Sequence, residues 1–230
     1  MSADYGIIPH NASLRINKFQ ASVPDSDLKD FKDLLRLSKV GPKTFENQQK
    51  DRRFGVTHQW LSEAKQHWEY VYDWRKTEDR VNSYPNFTTP INDDDGENYS
   101  IHFVGLFSHK ADAVPLLFLH GWPGSFLEFL GILDVLKRKY RPQDLPYHVV
   151  VPSLPGYAYS SGPPKGKNFR IEDTARIMNK LMVGLGFGGG YVSQGGDIGS
   201  MVARILAVDY PACKAMHREC LIECPRRSVH

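Results

Sequence analysis

Apolar runs alternate with segments of helical spacing over most of the chain. Each run is followed by a loop and then by apolar residues at intervals of three and four, which is the pattern of an amphipathic helix. The strands are expected at Val114–His120, at His148–Pro152 and from Tyr191 onward, and the helices at Ser125–Leu136, Ile171–Leu185 and Ile198–Ala207. The first two runs are typical of strands that are buried on both faces of a parallel sheet. This alternation predicts a doubly wound, mostly parallel α/β sheet.

The first third of the chain is patterned differently. Helical spacing predicts one amphipathic helix that begins at Pro24–Asp27 and a second that has Thr57 as its N-cap. Trp60 and Trp68 belong to one apolar stripe of the second helix, so we expect them to pack against a core. Before the first buried strand, Asp95–Gly96 predicts a hairpin turn.

These patterns divide the chain into three parts. A helical meander is expected at 14–80, a partial α/β core at 82–217 and an atypical tail at 218–230. The 230 residues suffice for one sizeable α/β domain or two small ones.

Composition and charge narrow the class of protein. Hydrophobic residues make up 41% of the chain and charged residues 24%, as in ordinary globular proteins. The formal net charge of +3 is too small and too dispersed to indicate a nucleic-acid partner. No apolar run reaches membrane-spanning length, and the N-terminus lacks the features of a signal peptide. We therefore expect a cytoplasmic protein without a membrane anchor.

Neither a cofactor nor a metal is expected. The run Gly184–Gly189 matches G-x-G-x-x-G, but it lies after a helix and before a strand, the reverse of the dinucleotide-binding order. The three cysteines are Cys213, Cys220 and Cys224, and no second ligand pair completes a metal site. An odd number of cysteines without a secretory signal indicates free thiols in a reducing compartment.

The candidate chemistry begins at the turn that follows the strand from Tyr191. Asp197 has small residues two positions before it and two after it, Gly195 and Gly199, and Gly196 directly precedes it. This is the spacing of a nucleophile elbow, with a carboxylate where the better-known version has serine. Glycines suit such a strained turn because a Cβ there would collide with neighbouring backbone. The simpler alternative is that Asp197 only caps the helix.

A second loop can supply one of the hydrogen-bond donors that such a nucleophile needs. In an α/β-hydrolase sheet, two backbone N–H groups stabilise the oxygen that becomes negative. One belongs to the residue after the nucleophile, Ile198, and the other to the loop after an earlier strand, here His120–Gly124. The base of this fold follows the nucleophile in sequence, so we interpret His120 as a residue that shapes the loop. We expect the same shaping role for Gly121, Pro123, Gly124, Gly195, Gly196 and Gly199.

Four features together resemble one known family. They are the meander with Val56–Trp74, the loop His120–Gly124, the turn Pro152–Tyr157 and the elbow Gln194–Ser200. The chain resembles a fungal epoxide hydrolase of the microsomal type without its membrane anchor, and the likeness covers most of residues 14–217. The resemblance implies an α/β-hydrolase fold with an N-terminal helical meander and a small-molecule epoxide as the substrate.

The resemblance also implies a mechanism. Asp197 would open the epoxide as the nucleophile and form a covalent alkyl-enzyme ester, which water then hydrolyses to a vicinal diol. The N–H groups of Trp122 and Ile198 would form the oxyanion hole. In the family, two tyrosines of a lid domain protonate the ring oxygen, and a histidine paired with an acid activates the water. No cofactor or metal takes part.

The sequence after Asp197 departs from the family pattern. The lid, its tyrosines, the acid and the base would all lie far beyond the nucleophile, but only His217 and His230 follow as histidines. The family's His-x-Asn run reads His217-Arg218-Glu219 here. We therefore expect a C-terminally truncated member that lacks the lid and the last strands. Its turnover would be impaired or limited to ester formation, and an open sheet edge would favour association or a homo-oligomer.

Two other functions stay open. The chain could be a non-catalytic pseudoenzyme, or a truncated fragment, that keeps the scaffold for binding or assembly. A dehalogenase-like enzyme with an aspartate nucleophile is a third possibility, which the N-terminal meander disfavours.

Overall fold

The computed structural model describes residues 4–51, 53–94 and 96–219, which form two compact units. The first unit contains the sheet and joins the residues up to Gln20 to those from Ser83 onward. The second unit spans Ala21–Asn82 and is helical.

The sheet of the first unit has the predicted α/β character. Within the described residues it has seven strands, β1 Asn17–Lys18, β2 Asn86–Asn92, β3 Asn98–Leu106, β4 Val114–Leu119, β5 Tyr147–Pro152, β6 Tyr191–Gly195 and β7 Cys213–Arg218, in the order β1-β2-β3-β5-β4-β6-β7. The strands β5, β4, β6 and β7 are parallel, whereas β1, β2 and β3 pair in antiparallel fashion and β3 is antiparallel to β5. The three predicted strands are confirmed. So is the hairpin, in which β2 and β3 pair across a turn with Gly96 at a φ of +85°.

Three helices follow the parallel strands. They are α4 Leu130–Lys139, α5 Ile171–Met182 and α6 Asp197–Asp209. The helix predicted from Ser125 begins differently: Ser125 caps a short 3₁₀ turn, Phe126–Phe129, that leads into α4. A π-helical turn at Val183–Phe187 ends α5, and Gly186 there has a φ of +94°. The glycine-rich run at this point therefore ends a helix and leads into β6, which is the order read from the sequence.

The core of the first unit lies between the sheet and α5 and α6. Its members are apolar side chains of the central strands and of the inner faces of these helices, among them Phe103, Leu117, Val150, Met178, Leu181 and Leu206. The central position of β4 and β6 in this core fixes the two loops at their carboxyl ends.

The helical unit contains α1 Asp25–Leu37, α2 His58–Tyr70 and α3 Trp74–Asn82. Thr57 caps α2 as predicted, since its hydroxyl oxygen accepts a hydrogen bond from the Trp60 N–H at 3.1 Å. The expected packing of the tryptophan stripe is wrong. Trp60 is 55% exposed and Trp68 is 52% exposed, and no residue of α2 is buried. Helical periodicity identified the apolar face but not what covers it.

The two units have other boundaries than the parts expected from the sequence. Residues 14–20 belong to the sheet unit, because Asn17 and Lys18 pair with β2. Most of the tail at 218–230 lies outside the described residues: Arg218 ends β7 and Glu219 is the last residue described. Cys220, Cys224 and His230 also lie outside them.

A buried carboxylate joins the end of β2 to α5. The Asp93 side chain is fully buried and accepts hydrogen bonds from Arg176 Nε at 2.8 Å and from a terminal nitrogen of Arg176 at 2.6 Å. Lys180 Nζ lies 3.3 Å from the same carboxylate. These contacts, above all those of Arg176, lower the pKa of Asp93 to about 2.

We expect Asp93→Asn to destabilise the protein by about 3 kcal/mol at pH 7, because it leaves a partly buried guanidinium without its main partner. The pKa of Asp93 is depressed in the fold, so its contribution is present above the unfolded pKa and declines as pH falls from about 4 towards 2. Urea titrations of both proteins at pH 7 and pH 3 test this. Asp33→Asn, which breaks an exposed ion pair with Lys29, is the control and should change stability little. Equal effects of the two substitutions would contradict the assignment.

Candidate active site

Asp197 stands at the junction of β6 and α6, where the chain turns sharply. Gly195 ends the strand, Gly196 occupies the N-cap position, and Asp197 begins the helix with a φ of +45°. A residue with a Cβ rarely adopts this left-handed conformation, which costs on the order of 1–3 kcal/mol. The turn leaves the Asp197 side chain exposed at the carboxyl edge of the sheet. Its charge is also stabilised by the N-terminus of α6.

Two of the neighbouring glycines are required by close backbone contacts. A Cβ on Gly195 would lie 2.2 Å from the carbonyl oxygen of Gly199, and one on Gly199 would lie 2.2 Å from that of Leu119. Both obstacles are backbone atoms, which cannot move aside as a flexible side chain could. Gly196 differs, because a Cβ there would make only an ordinary contact of 3.4 Å with Glu219.

The loop after β4 meets this turn because β4 pairs directly with β6, with Leu119 opposite Gly195. The Trp122 N–H donates a hydrogen bond of 2.7 Å to Asp197 Oδ2. Gly121 permits the approach, since a Cβ on it would lie 2.5 Å from the Asp197 Cβ. The structure therefore brings the two predicted loops together, with a main-chain donor on one and the Asp197 carboxylate on the other.

The remaining loop residues follow Trp122. The Trp122–Pro123 peptide is cis, and the Trp122 side chain is 69% exposed. A Cβ on Gly124 would lie 3.3 Å from the Gly121 carbonyl oxygen and 2.3 Å from the carboxylate of Glu128. Gly124 thus leaves room for both groups.

Two main-chain donors determine the electrostatics of Asp197. The N–H groups of Trp122 and Ile198 lower the pKa of the Asp197 carboxyl below its ordinary value, with Trp122 the larger cause. The side chain is therefore an exposed carboxylate, ionised at neutral pH, that needs no base to become a nucleophile.

His120 is fully buried beneath the loop. Its Nδ1 lies 3.1 Å from the Gly121 carbonyl oxygen, and its Nε2 lies 3.0 Å from the Leu154 N–H nitrogen. Its ring also packs edge-on against Tyr157 at 5.0 Å between centroids. Burial lowers the pKa of His120. With both nitrogens engaged, this histidine links the loop after β4 to the loop after β5.

Comparison with known proteins shows which family the chain belongs to. Residues 16–129 match the family model described as epoxide hydrolase N terminus, and residues 114–220 match the alpha/beta hydrolase fold. The solved structure of Aspergillus niger epoxide hydrolase is 49% identical, with a TM-score of 0.86 over 98% of this chain and 58% of that chain. The chain belongs to the epoxide hydrolase family.

Other members of the family extend the comparison. A candidate epoxide hydrolase of Dothistroma septosporum is 42% identical over 93% of this chain and 51% of its own length. The juvenile hormone epoxide hydrolase of the silkworm Bombyx mori is 26% identical, with a TM-score of 0.73 over 90% of this chain and 53% of that chain. The chain thus spans about half the length of the curated relatives that it matches.

Two carboxylates near Asp197, those of Glu128 and Glu219, were not expected from the sequence of this epoxide hydrolase family member. Glu219 follows β7; its N–H donates to the Gly195 carbonyl at 3.2 Å, and its carboxylate accepts from Gln194 Nε2 at 3.3 Å. Burial, and then the charges of Glu219 and Asp197, raise the pKa of Glu128. Strand topology could have indicated this position: Glu219 directly follows a strand that is parallel and adjacent to β6, so it reaches the same edge of the sheet.

The other predicted groups lie apart from this cluster. His217 is exposed on β7, opposite Gln194 of β6. Cys213 is a buried free thiol. Among the described residues, no group of three histidine, cysteine or carboxylate side chains could hold a metal ion. In the same residues, each helix is too short or too polar to cross a membrane.

Proposed function

We propose that this chain acts on epoxides through Asp197 and forms an alkyl-enzyme ester on the way to a vicinal diol. The observation that carries the proposal is the 2.7 Å hydrogen bond from the Trp122 N–H to Asp197 Oδ2 in a strained, exposed turn. In the proposed mechanism this oxygen becomes the carbonyl oxygen of the ester, on which the oxyanion later forms. The bond also favours the ionised carboxylate. Membership of the epoxide hydrolase family supports the choice of substrate.

The first step is a displacement at an epoxide carbon. A carboxylate oxygen of Asp197 forms a bond to this carbon, the carbon–oxygen bond of the ring breaks, and the ring oxygen leaves as an alkoxide that takes up a proton from solvent water. The product is a hydroxyalkyl ester of Asp197. The exposed position of the carboxylate leaves its approach open to a small epoxide.

The second step, hydrolysis of the ester, would use two main-chain N–H groups. Water adds to the ester carbonyl, and the N–H groups of Trp122 and Ile198 stabilise the resulting oxyanion, an effect worth roughly 3–4 kcal/mol per donor in comparable sites. Collapse releases the diol and restores the carboxylate. In the described part of the chain, no histidine is hydrogen-bonded to Asp197 to activate that water. We therefore propose that ester formation is the better supported half of the reaction.

The test is the intact mass of the full chain after incubation with styrene oxide, a small aryl epoxide, together with an assay for the diol. An ester mapped to the peptide that contains Asp197, or diol formed at a rate above that of the buffer, supports the proposal. Absence of both overturns it. The pseudoenzyme function would then be favoured, with the scaffold kept for binding or assembly.

We also propose that copies of the chain associate through β7, one of the two edge strands of the described sheet. Its outer edge meets no further strand among the described residues, and its Met216 side chain is 39% exposed. Exposed edges favour pairing between chains. We expect sedimentation velocity to show concentration-dependent association that Met216→Lys weakens. Val208→Lys, at a site 72% exposed on α6, should leave association unchanged. A single monomeric species at all concentrations would contradict the proposal.

A cytoplasmic location is part of the same proposal. It is supported by the free thiol of Cys213, since reducing compartments keep such thiols unpaired. Cell fractionation with an antibody against the chain tests it, and recovery from a membrane or secreted fraction would contradict it.

A further inference from the structure

The buried ring of His120 has two polar neighbours with opposite requirements. The Gly121 carbonyl can only accept a hydrogen bond, and the Leu154 N–H can only donate one. Nδ1, 3.1 Å from the carbonyl, must therefore carry the proton, and Nε2, 3.0 Å from the Leu154 nitrogen, must present its lone pair. Only the neutral Nδ1–H tautomer satisfies both contacts. The imidazolium form would oppose a second ring N–H to the Leu154 N–H.

The acceptor of the His120 proton is part of the catalytic geometry. The Gly121 C=O and the Trp122 N–H belong to one trans peptide plane, so they point in opposite directions. Whatever fixes the direction of the carbonyl also fixes the direction of the N–H. In this structure His120 holds the carbonyl, and the N–H at the other end of the plane points at Asp197 Oδ2.

This peptide has a particular need for such a restraint. Position 121 must be glycine, because a Cβ there would lie 2.5 Å from the Asp197 Cβ. Glycine removes the steric restriction that would otherwise limit rotation of the adjoining peptide. Gly124 lies close to the same carbonyl and leaves space around it. A hydrogen bond to the carbonyl therefore restricts rotation of this peptide, at a position where no side chain is available to restrict it.

We propose that His120 is a positioning residue of the active site, which aims the Trp122 N–H at Asp197 by holding the Gly121 carbonyl. The inference rests on the proposed function for its importance to catalysis, but the geometry can be tested without catalysis. His120 does not touch the reacting atoms. It acts on the nucleophile through one peptide plane, and its contact with Leu154 keeps the ring in the required tautomer.

The experiment is an NMR titration of the aspartate carboxyl carbons, with the Asp197 signal assigned by its loss in Asp197→Asn. In His120→Gln, the amide can take the place of Nε2 but not of Nδ1, so the titration midpoint of Asp197 should move to higher pH. In His120→Asn, the amide N–H can replace Nδ1–H, and the midpoint should stay close to the native one. The carboxylates of Glu128 and Glu219, which lie near this turn, are the same in all three proteins and should not create a difference.

Several outcomes would overturn the proposal. A folded His120→Gln with the native midpoint would do so, as would His120→Asn shifting as far as His120→Gln. Should both variants fail to fold, the ¹⁵N shifts of the native ring decide, since an Nε2–H tautomer is incompatible with the proposed contacts. The proposed function fails separately: the Asp197 midpoint can respond to His120 as expected while styrene oxide leaves no ester and yields no diol.

Discussion

Asp197→Asn should slow ester formation with styrene oxide by at least about a thousandfold. The protein should stay folded. The amide oxygen is a far weaker nucleophile than the carboxylate. Asparagine is also the best available probe, because it tolerates the φ of +45° at this position better than alanine does. Intact mass over time measures the adduct, and urea titration checks the fold.

Asp209→Asn provides the matched control. Asp209 is an exposed carboxylate at the other end of the same helix, so its loss should leave ester formation unchanged. The pH dependence adds a second expectation. Because the Trp122 and Ile198 N–H groups lower the pKa of Asp197, adduct formation should persist at a pH below the range where an ordinary aspartate loses its charge. Labelling that survives in Asp197→Asn would place the nucleophile elsewhere.

Gly199→Ala should destabilise the protein by about 3 kcal/mol or more and thereby remove the active-site geometry. The added Cβ would lie 2.2 Å from the Leu119 carbonyl oxygen and 2.8 Å from that of His120. Both obstacles are backbone at the end of β4, so relief requires α6 to move away from the sheet. That movement would separate Asp197 from the loop that holds it.

Gly131→Ala is the control for this substitution. Gly131 also lies in a helix, α4, but no atom comes within 4 Å of a Cβ built there. Alanine should stabilise that helix by about 0.5–1 kcal/mol. Urea titration of both variants measures the contrast. Similar stability for the two would show that the contact between Gly199 and Leu119 relaxes easily.

Short-range sequence patterns predicted much of the fold and also the approach of the loop after β4 to the turn after β6. The spacing of Gly195, Asp197 and Gly199 requires only short-range reasoning, because a strand, a tight turn and a helix follow one another in sequence. The loop after β4 could be joined to it because parallel strands end at a common edge of the sheet. The hydrogen bond from Trp122 to Asp197 spans 75 positions, yet strand topology brings its ends together.

Other features depend on contacts that no local pattern encodes. The exposure of Trp60 and Trp68 depends on what lies against α2, and periodicity describes only the helix itself. The approach of Glu219 to Gln194 depends on the register of β7 against β6, which includes an irregularity after Tyr191. The tautomer of His120 depends on Leu154, in a loop that follows a different strand.

Both groups that lower the pKa of Asp197 are main-chain N–H groups, and this has a consequence for mutational scanning. Substituting Trp122 by another residue removes an exposed indole but leaves the donor in place. Ile198 also keeps its donor when substituted, but its side chain packs against the hydrophobic core. An alanine scan would therefore record Trp122 as tolerant, although its backbone N–H contacts Asp197 directly. Only proline, or an ester in place of the amide, deletes such a donor. The Trp122 side chain is thus free to vary without loss of the proposed oxyanion-hole donor.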